Sequence, residues 1–182
     1  MKRVGEWLQT YTGRAFYPFD PRPEDICIED IAHALAHLCR FGGHSREFYS
    51  VAQHSVLVSC LVPERYALAG LLHDATEAYC GDLVRSIKSW QPGYRAMEAD
   101  IYEAIRTKFD LPEELPPEVH YADNVALATE KRDLMGPAPQ PWGLKHEPSP
   151  NVIVPLSPTA AKFAFERRFE ELNGKDWREW MG

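Results

Sequence analysis

The run Gly70-Leu71-Leu72-His73-Asp74-Ala75-Thr76-Glu77 combines apolar residues with three side chains that can bind a metal or move a proton. At the 3.6-residue period of an α-helix, His73, Asp74 and Glu77 fall on one side and the apolar residues on the other. The segment Glu64–Tyr79 is therefore predicted to be one amphipathic helix. Gly70 is expected to leave room for a group to approach its polar side.

The same periodicity predicts helices on both sides of this segment, and together they account for most of the chain. Their predicted bounds are Glu29–Arg40, Glu47–Val62, Gly93–Phe109, Pro117–Met135 and residues 158–173, the last with Ser157 as its N-cap. Residues 1–28 are predicted to be irregular because prolines interrupt them. No repeat or second domain is evident, so the predicted fold class is all-α: one helical bundle over residues 1–182, with its core in about residues 30–135.

A proline-rich connection over residues 136–157 is predicted to separate the last two helices. Six prolines within it exclude a helix or a central strand: Pro137, Pro139, Pro141, Pro148, Pro150 and Pro155. The run Val152-Ile153-Val154 is a candidate for a short edge strand.

The composition is that of an ordinary globular protein. Of 182 residues, 45% are hydrophobic and 26% are charged, which excludes a disordered chain, a coiled-coil rod and a collagen-like repeat. The net charge of −7 lacks the basic footprint of a protein that binds a nucleic-acid polymer. Small phosphorylated ligands remain possible partners, because one or two local cations can hold them.

The expected location is the cytoplasm. The four cysteines form no C-x-x-C pair, which excludes a zinc ribbon or thioredoxin-type motif and fits a reducing compartment. Residues 1–20 contain no apolar run like a signal peptide, and no stretch approaches the length of a membrane span. We therefore expect no membrane partner.

Two more predicted helices carry candidate metal ligands. His54 lies on the mainly apolar side of its helix, and Asp123 lies in the apolar stripe of the helix Pro117–Met135. A carboxylate in such a stripe must be neutralised, paired or metal-bound. Glu130 falls on the same stripe, so either acid is a candidate, and an ion pair with an arginine is the alternative for both. His33 and His37 form an i,i+4 pair that could bind a metal, but no other candidate ligand accompanies them locally, so a polar helix face is the preferred interpretation.

His54, His73, Asp74 and Asp123 can converge in the core of a helical bundle, which is a usual place for a metal site. Two imidazoles and two carboxylates suit one divalent transition metal such as Co, Mn, Zn or Fe, with the identity left open. A divalent ion in such a site acidifies water and supplies a hydrolytic nucleophile near neutral pH.

Several motifs surround these residues in the order seen in one enzyme family. Val51-Ala52-Gln53-His54-Ser55 resembles its first-histidine helix. His73-Asp74-Ala75-Thr76-Glu77, followed by Gly81-Asp82-Leu83 and Lys88, is similar to a later part of the pattern, and Asp123 completes it. Over about residues 30–135 the chain thus resembles the HD-domain metal-dependent phosphohydrolases. Within this family, the chain most resembles the branch of the bacterial 5′-deoxynucleotidases and the phage deoxyadenosine-triphosphate triphosphohydrolases.

The resemblance implies a role for each matched residue. His54, His73, Asp74 and Asp123 would bind one divalent metal, and Glu77 would be the catalytic acid or base. Arg40 and Phe41 would grip phosphate and base, with Arg40 also contributing to catalysis. Asp82 would accept a hydrogen bond from the sugar, and Lys88 would hold phosphate.

The implied activity is hydrolysis of the 5′-phosphate ester of a deoxynucleotide, either a monophosphate or a triphosphate. The expected partner is that small-molecule substrate, and a homo-oligomer is expected. The chain departs from the family at Val84-Arg85-Ser86-Ile87, where the pattern has prolines, and this loop is expected to line the base pocket. Two alternatives remain: a cyclic-nucleotide or signalling phosphodiesterase of the wider superfamily, and a metal-free helical binding module.

Overall fold

The computed structural model describes residues 3–174, and this part of the chain is mostly helical, in agreement with the predicted all-α class. The α-helices are α1 (Ile28–His37), α2 (Val51–Leu61), α3 (Ala67–Leu72), α4 (Glu77–Cys80), α5 (Arg85–Lys88), α6 (Pro92–Phe109), α7 (Pro117–Leu134) and α8 (Pro158–Asn173). None of the helices within residues 3–174 is both long and apolar enough to cross a membrane. Residues 1–2 and 175–182 of the predicted single domain lie outside the described part.

The main hydrophobic core lies between α1, α3, α6 and α8. It includes large side chains that are fully shielded from solvent, among them Ile31, Leu35, Leu71, Ile105, Phe165 and Phe169. Burying each such side chain contributes roughly 1.5–3 kcal/mol relative to leaving it exposed. The predicted last helix is confirmed, since α8 begins after Ser157, whose hydroxyl accepts from the Ala160 N–H. Its residues Phe165 and Phe169 pack in this core.

A smaller apolar cluster joins α2, α3 and α7 and positions the candidate site. Val58 on α2, Ala67 and Ala69 on α3, and Val119 and Ala126 on α7 are buried together. Because these faces pack directly against one another, the polar side chains at the edge of the cluster are brought close together. His54 and Asp123 are carried on two of these helices.

Gly70 acts in this packing, and the expectation that it leaves room on a polar side is wrong. A Cβ atom at Gly70 would lie 3.2 Å from the Ser59 Cα and 3.2 Å from the Val62 Cγ2. Few real Cβ contacts are that close, and the Ser59 contact is with backbone. The glycine therefore permits α3 to approach the backbone of α2.

The predicted continuous helix Glu64–Tyr79 is also wrong. The segment divides into a 3₁₀ turn at Glu64–Tyr66, then α3, a turn over residues 73–76, and α4. Within the turn, the Ala75 N–H donates to the Leu72 carbonyl and the Glu77 N–H to the Asp74 carbonyl, which are i→i−3 bonds of a tighter coil. No proline or glycine lies within residues 71–80 to announce this break.

The proline-rich connection and the N-terminal segment also differ from the prediction. The edge strand expected at Val152-Ile153-Val154 does not form; the Ile153 N–H donates to Asp133 and the Val154 carbonyl accepts from Gln53. Side chains thus take the place of a strand partner. Conversely, the N-terminal segment predicted to be irregular contains a small antiparallel hairpin, β1 (Leu8–Gln9) and β2 (Ala15–Phe16).

The predicted bounds of the first two helices are too long. α1 ends at His37, and a 3₁₀ turn at Arg40–Gly43 follows it. α2 begins only after Ser50, whose hydroxyl accepts from the Gln53 N–H at 3.2 Å and caps the helix. Arg40 consequently lies in a turn and not on a helix.

Candidate metal centre and cavity

Two imidazoles face each other at the edge of the α2–α3–α7 cluster. The Nε2 atoms of His54 and His73 are 3.3 Å apart. The His73 Nδ1 donates to the Gly70 carbonyl at 2.8 Å, and the His54 Nδ1 donates to Oε1 of Glu130 at 2.6 Å. Because a carbonyl and a carboxylate can only accept, both Nδ1 atoms carry hydrogen and both Nε2 atoms are left to bind a cation.

Two aspartates approach the same point. Oδ1 of Asp123 lies 3.2 Å from the His54 Nε2, and Oδ2 of Asp74 lies 3.2 Å from the His73 Nε2 and 3.6 Å from the His54 Nε2. One ligand atom each from His54, His73 and Asp123 lies within 4.8 Å of the others. These three residues could hold a metal ion, and Asp74 stands beside them.

The sequence predicted that Asp123 lies in the apolar stripe of its helix, but its side chain is not buried there. It is 40% exposed, whereas Ala122 and Ala126 on either side are buried. α7 therefore turns its alanines toward α2 and α3 and its aspartate toward open space in front of the imidazoles. A metal at this point would be accessible to a small ligand.

Glu130 contacts the Nδ1 of His54, on the other side of the ring from the Nε2 that faces His73. Its side chain is fully buried; Oε1 accepts from His54, and Oε2 lies 3.2 Å from an amine nitrogen of Arg40. Burial acts to raise the pKa of Glu130, but Arg40 and His54 outweigh it and lower the pKa. The choice between Asp123 and Glu130 is thereby resolved geometrically: the Asp123 carboxylate faces both imidazoles, and Glu130 orients one of them.

The protonation of the centre follows from this crowding of carboxylates. Burial and Arg40 lower the pKa of His54, but Glu130 and Asp123 outweigh them and raise it to about 9. Burial also acts to raise the pKa of Asp74, but the imidazoles of His73 and His54 hold it well below its usual range. Without a metal, the surrounding carboxylates thus favour a proton on His54, which partly offsets their charge. A divalent cation would take its place and satisfy the same acceptors.

Arg40 lies between the candidate metal centre and the cavity described below. Its guanidinium lies 3.4 Å from Oδ2 of Asp74 and 3.2 Å from Oε2 of Glu130, and it stacks 5.3 Å from the centre of the Phe41 ring. The side chain is 12% exposed, and its Nε has no hydrogen-bond partner. The guanidinium is thus held in place and retains one unused donor.

A cavity of about 470 Å³ opens in front of the centre. All the residues predicted to handle substrate line it: Arg40, Phe41, Glu77, Asp82 and Lys88, together with the ligand candidates Asp74 and Asp123. Leu83, Val84 and Arg85 also line it, so two residues of the run Val84-Arg85-Ser86-Ile87 lie at the cavity. The loop predicted over this run is replaced from Arg85 onward by α5.

Glu77 is the buried acid of this cavity. It is 7% exposed, and its Oε2 has no hydrogen-bond partner. Burial raises the pKa of Glu77 to about 10, and the charges of Asp74 and Asp82 add to the effect. This shift favours the protonated carboxyl near neutral pH, with one buried oxygen left without a partner. Burial also raises the pKa of Asp82.

Lys88 is less available than the sequence suggested. Its Nζ forms a salt bridge with Glu98, and it also lies 5.6 Å from the centre of the Tyr94 ring. Lys88 lines both the main cavity and a neighbouring cavity of about 380 Å³. An anion would have to compete with Glu98 for this cation.

His33 and His37 lie apart from the group formed by His54, His73 and Asp123. Their rings stack 4.2 Å apart, and the ring of Tyr11 stacks on His33 at 3.7 Å. Within residues 3–174, neither belongs to a group of ligand atoms close enough to hold a metal. The polar-face interpretation of this i,i+4 pair is the one that fits.

Sequence reasoning missed several residues around the cavity. His120 and Asn124 of α7 line it, and Trp142 of the proline-rich connection contacts Phe41. The position of His120, three residues before Asp123, could have drawn attention to it, because i±3 and i±4 neighbours share a helix face. The same spacing does not indicate Asn124, which directly follows Asp123. Nothing in the sequence indicates the contact of Trp142.

Fold and site together define a mostly helical protein with a candidate His/Asp metal centre beside a substrate-sized cavity. No protein-family model matches the chain. It is 43% identical over 170 residues to the uncharacterized protein YfdR of Escherichia coli, covering 92% of this chain and 96% of YfdR. The chain therefore belongs to the same family as YfdR. It is also 37% identical over 150 residues to an uncharacterized protein of Rhodobacter capsulatus, covering 75% of this chain and 76% of that protein.

Proposed function

We propose that the protein is an HD-type metal-dependent phosphohydrolase that cleaves the 5′-phosphate ester of deoxynucleotides. The observation that carries the proposal is the pair of Nε2 atoms of His54 and His73, 3.3 Å apart, each with its Nδ1 already committed to an acceptor. Two unprotonated nitrogens this close repel each other unless a proton or cation lies between them. Oxygen atoms of Asp74 and Asp123 complete a mixed nitrogen and oxygen set at the mouth of a cavity.

The residues fit one divalent transition metal, with Co, Mn, Zn and Fe as the candidates. His54, His73, Asp74 and Asp123 would hold it, and no thiolate is present that would favour a softer ion. When bound, such an ion polarises a phosphoryl oxygen and makes water acidic enough to attack near neutral pH.

The chain's own groups account for the rest of the reaction. Arg40 lines the cavity beside Asp74, and its positively charged guanidinium would bind the phosphoryl oxygens. A water oxygen would form a bond to the 5′-phosphorus as the bond from that phosphorus to the 5′-oxygen breaks. Glu77, whose pKa is raised by burial, would supply a proton to the departing 5′-oxygen. The proton that the attacking water loses would then return to the Glu77 carboxylate, so the acid is regenerated. The balanced products are a deoxynucleoside and phosphate, or triphosphate when the substrate is a triphosphate.

The position of the scissile bond tests the proposal. The purified protein is stripped with a chelator, reloaded separately with Mn, Co, Zn or Fe, and given deoxynucleoside mono- and triphosphates, with cyclic nucleotides in the same panel. We expect metal-dependent release of deoxynucleoside, with intact triphosphate from the triphosphates. Stepwise release of orthophosphate from the terminal position would contradict it. Preferential cleavage of cyclic nucleotides would favour the phosphodiesterase alternative.

A further inference from the structure

The proline-rich connection places an aromatic side chain, Trp142, against one residue of the cavity wall. Phe41 lines the cavity, and the ring of Trp142 lies against it, with ring centres 6.0 Å apart and planes inclined by 57°. We propose that Trp142 is a positioning residue that holds Phe41 as a platform for the nucleobase. The inference rests on the proposed nucleotide substrate.

The backbone at Phe41 needs such a support. Phe41 has φ 57° and ψ 26°, and Gly42 and Gly43 follow it with φ of 59° and 82°. Glycine adopts these left-handed angles readily, but a bulky aromatic residue does so at a cost of about 1–3 kcal/mol. Such a conformation persists where the surroundings hold it, and at Phe41 it directs the ring to the cavity beside Arg40.

The Phe41 ring is held between other groups. The Arg40 guanidinium carbon lies 5.3 Å from its centre, and the Trp142 indole packs on it from the connection. Trp142 is in turn approached by the Lys131 ammonium of α7, 5.9 Å from the centre of the indole ring. Cation–aromatic and aromatic pairs of this kind favour particular ring orientations, so the indole limits how the phenyl ring can turn.

The connection itself is fixed to α7, so that Trp142 has a defined position. Arg132 donates to the carbonyls of Ser149 and Asn151 at 2.7 Å and 2.8 Å, and the Ser149 N–H donates to the Thr129 hydroxyl. Closer to Trp142, the ring of His146 meets that of Tyr121 edge to face at 4.7 Å. Prolines at residues 137, 139 and 141 restrict the approach of the chain to Trp142.

A platform for the base has a consequence that separates it from general stabilisation. It should matter for substrates that carry a base and not for the sugar phosphate alone. 2-Deoxyribose 5-phosphate has the same ester and the same 5′-oxygen but no base. Comparing it with a deoxynucleoside monophosphate isolates the contribution of the aromatic wall.

The experiment measures kcat and KM of the metal-loaded protein on both compounds for wild type, Trp142→Ala, Trp142→Leu and Trp142→Phe. In Trp142→Ala and Trp142→Leu we expect KM for the deoxynucleotide to rise about two- to tenfold, the range that an aromatic pair contributes. KM for deoxyribose phosphate, kcat and metal content should stay at wild-type levels, and Trp142→Phe should restore much of the loss. The matched control is Trp7→Ala, at an exposed tryptophan that directly precedes β1.

A second readout does not depend on turnover. Binding of the deoxynucleotide is measured by calorimetry in a Glu77→Gln background, with and without Trp142→Leu, which retains an apolar side chain should the alanine variant fold poorly. An equal KM for wild type and Trp142→Leu, or an equal rise for both compounds, would overturn the inference while leaving the proposed function intact. A wild-type protein that neither binds nor cleaves the deoxynucleotide would overturn both.

Discussion

The Nδ1 of His54 donates to Oε1 of Glu130 across 2.6 Å, and both side chains are fully shielded from solvent. This bond fixes which nitrogen of the imidazole carries hydrogen, and it directs Nε2 toward His73 and the aspartates. A carboxylate behind a metal-binding histidine also raises the basicity of the ring. Glu130 therefore acts on the centre through His54 without being one of its ligands.

Removal of this carboxylate should weaken the metal centre. Glu130→Ala leaves the His54 Nδ1 and the Arg40 guanidinium buried without their partner, and we expect metal affinity to fall by about 10–100-fold. Competition with a chromophoric chelator measures the affinity. Glu118→Gln, at an exposed acid on the same helix, is the control and should retain full affinity. Wild-type affinity in Glu130→Ala would show that the bond does not orient the ligand.

The ligand set itself is tested by truncation. His73→Ala and Asp123→Ala should each abolish stoichiometric metal, because each removes a donor and leaves the other donors poorly compensated. Metal content is read by elemental analysis after reloading and desalting. His33→Ala and His37→Ala should keep their metal. Loss of metal from either of these, or normal content in His73→Ala, would show that the assigned centre is wrong.

Glu77→Gln should separate chemistry from metal binding. The amide keeps the shape of the side chain but cannot supply a proton in the same way, so kcat should fall by about 10²–10⁴-fold. Metal content should stay close to that of wild type, since Glu77 is not among the facing donors. Steady-state kinetics beside elemental analysis gives both values. A normal kcat would remove Glu77 from the reaction.

The same substitution should stabilise the metal-free protein in a pH-dependent manner. The folded-state pKa of Glu77 is about 10, above its ordinary value of 4.5, so between these values the folded protein holds a proton that the unfolded chain releases. The free energy of unfolding therefore falls as pH rises through this window. Glu77→Gln lacks that loss, so its melting temperature should exceed that of wild type at about pH 8 and approach it at about pH 5. A difference that is independent of pH would contradict the buried, protonated state.

Arg40→Lys should impair phosphate binding even though the charge is kept. Lysine has a single ammonium group and lacks the planar fork by which the guanidinium contacts both Asp74 and Glu130 at the edge of the cavity. We expect a clear rise in the inhibition constant for inorganic phosphate and a lower kcat/KM for the substrate. Arg106→Lys, at an exposed pair on α6, is the control. Unchanged phosphate inhibition in Arg40→Lys would mean that the guanidinium has only a structural role.

Much of the fold could be predicted because its long helices have regular apolar stripes and clear ends. α7 begins at paired prolines, and α8 has a serine cap and a glycine end, so the bounds of both were predicted nearly correctly. The break at residues 73–76 was not predictable, because His73 donates to the Gly70 carbonyl in a run with no helix breaker after Gly70. Periodicity counts positions and does not register a side chain that bonds to its own backbone.

The candidate site was also only partly predictable from the sequence. Residue type and spacing indicated the two imidazoles, but they could not rank Asp123 against Glu130, which share one helical stripe. Only the relative rotation of α2 and α7 decides that one carboxylate faces the Nε2 of His54 and the other its Nδ1. The contact of Trp142 with Phe41 spans a connection without periodicity, so no local pattern could indicate it.

The close approach at Gly70 gives this residue the role of a spacer. A Cβ atom at this position would meet the backbone of Ser59, and the Gly70 carbonyl accepts from the ring of His73. One residue therefore affects both how near α3 comes to α2 and how the His73 imidazole is turned. A single methyl group at this position would press the two helices apart. The separation between the nitrogens of His54 and His73 would then widen, with every ligand still present in the sequence. The distance between the two imidazoles of the candidate metal centre thus depends on a hydrogen atom at Gly70, where any other residue would have a carbon.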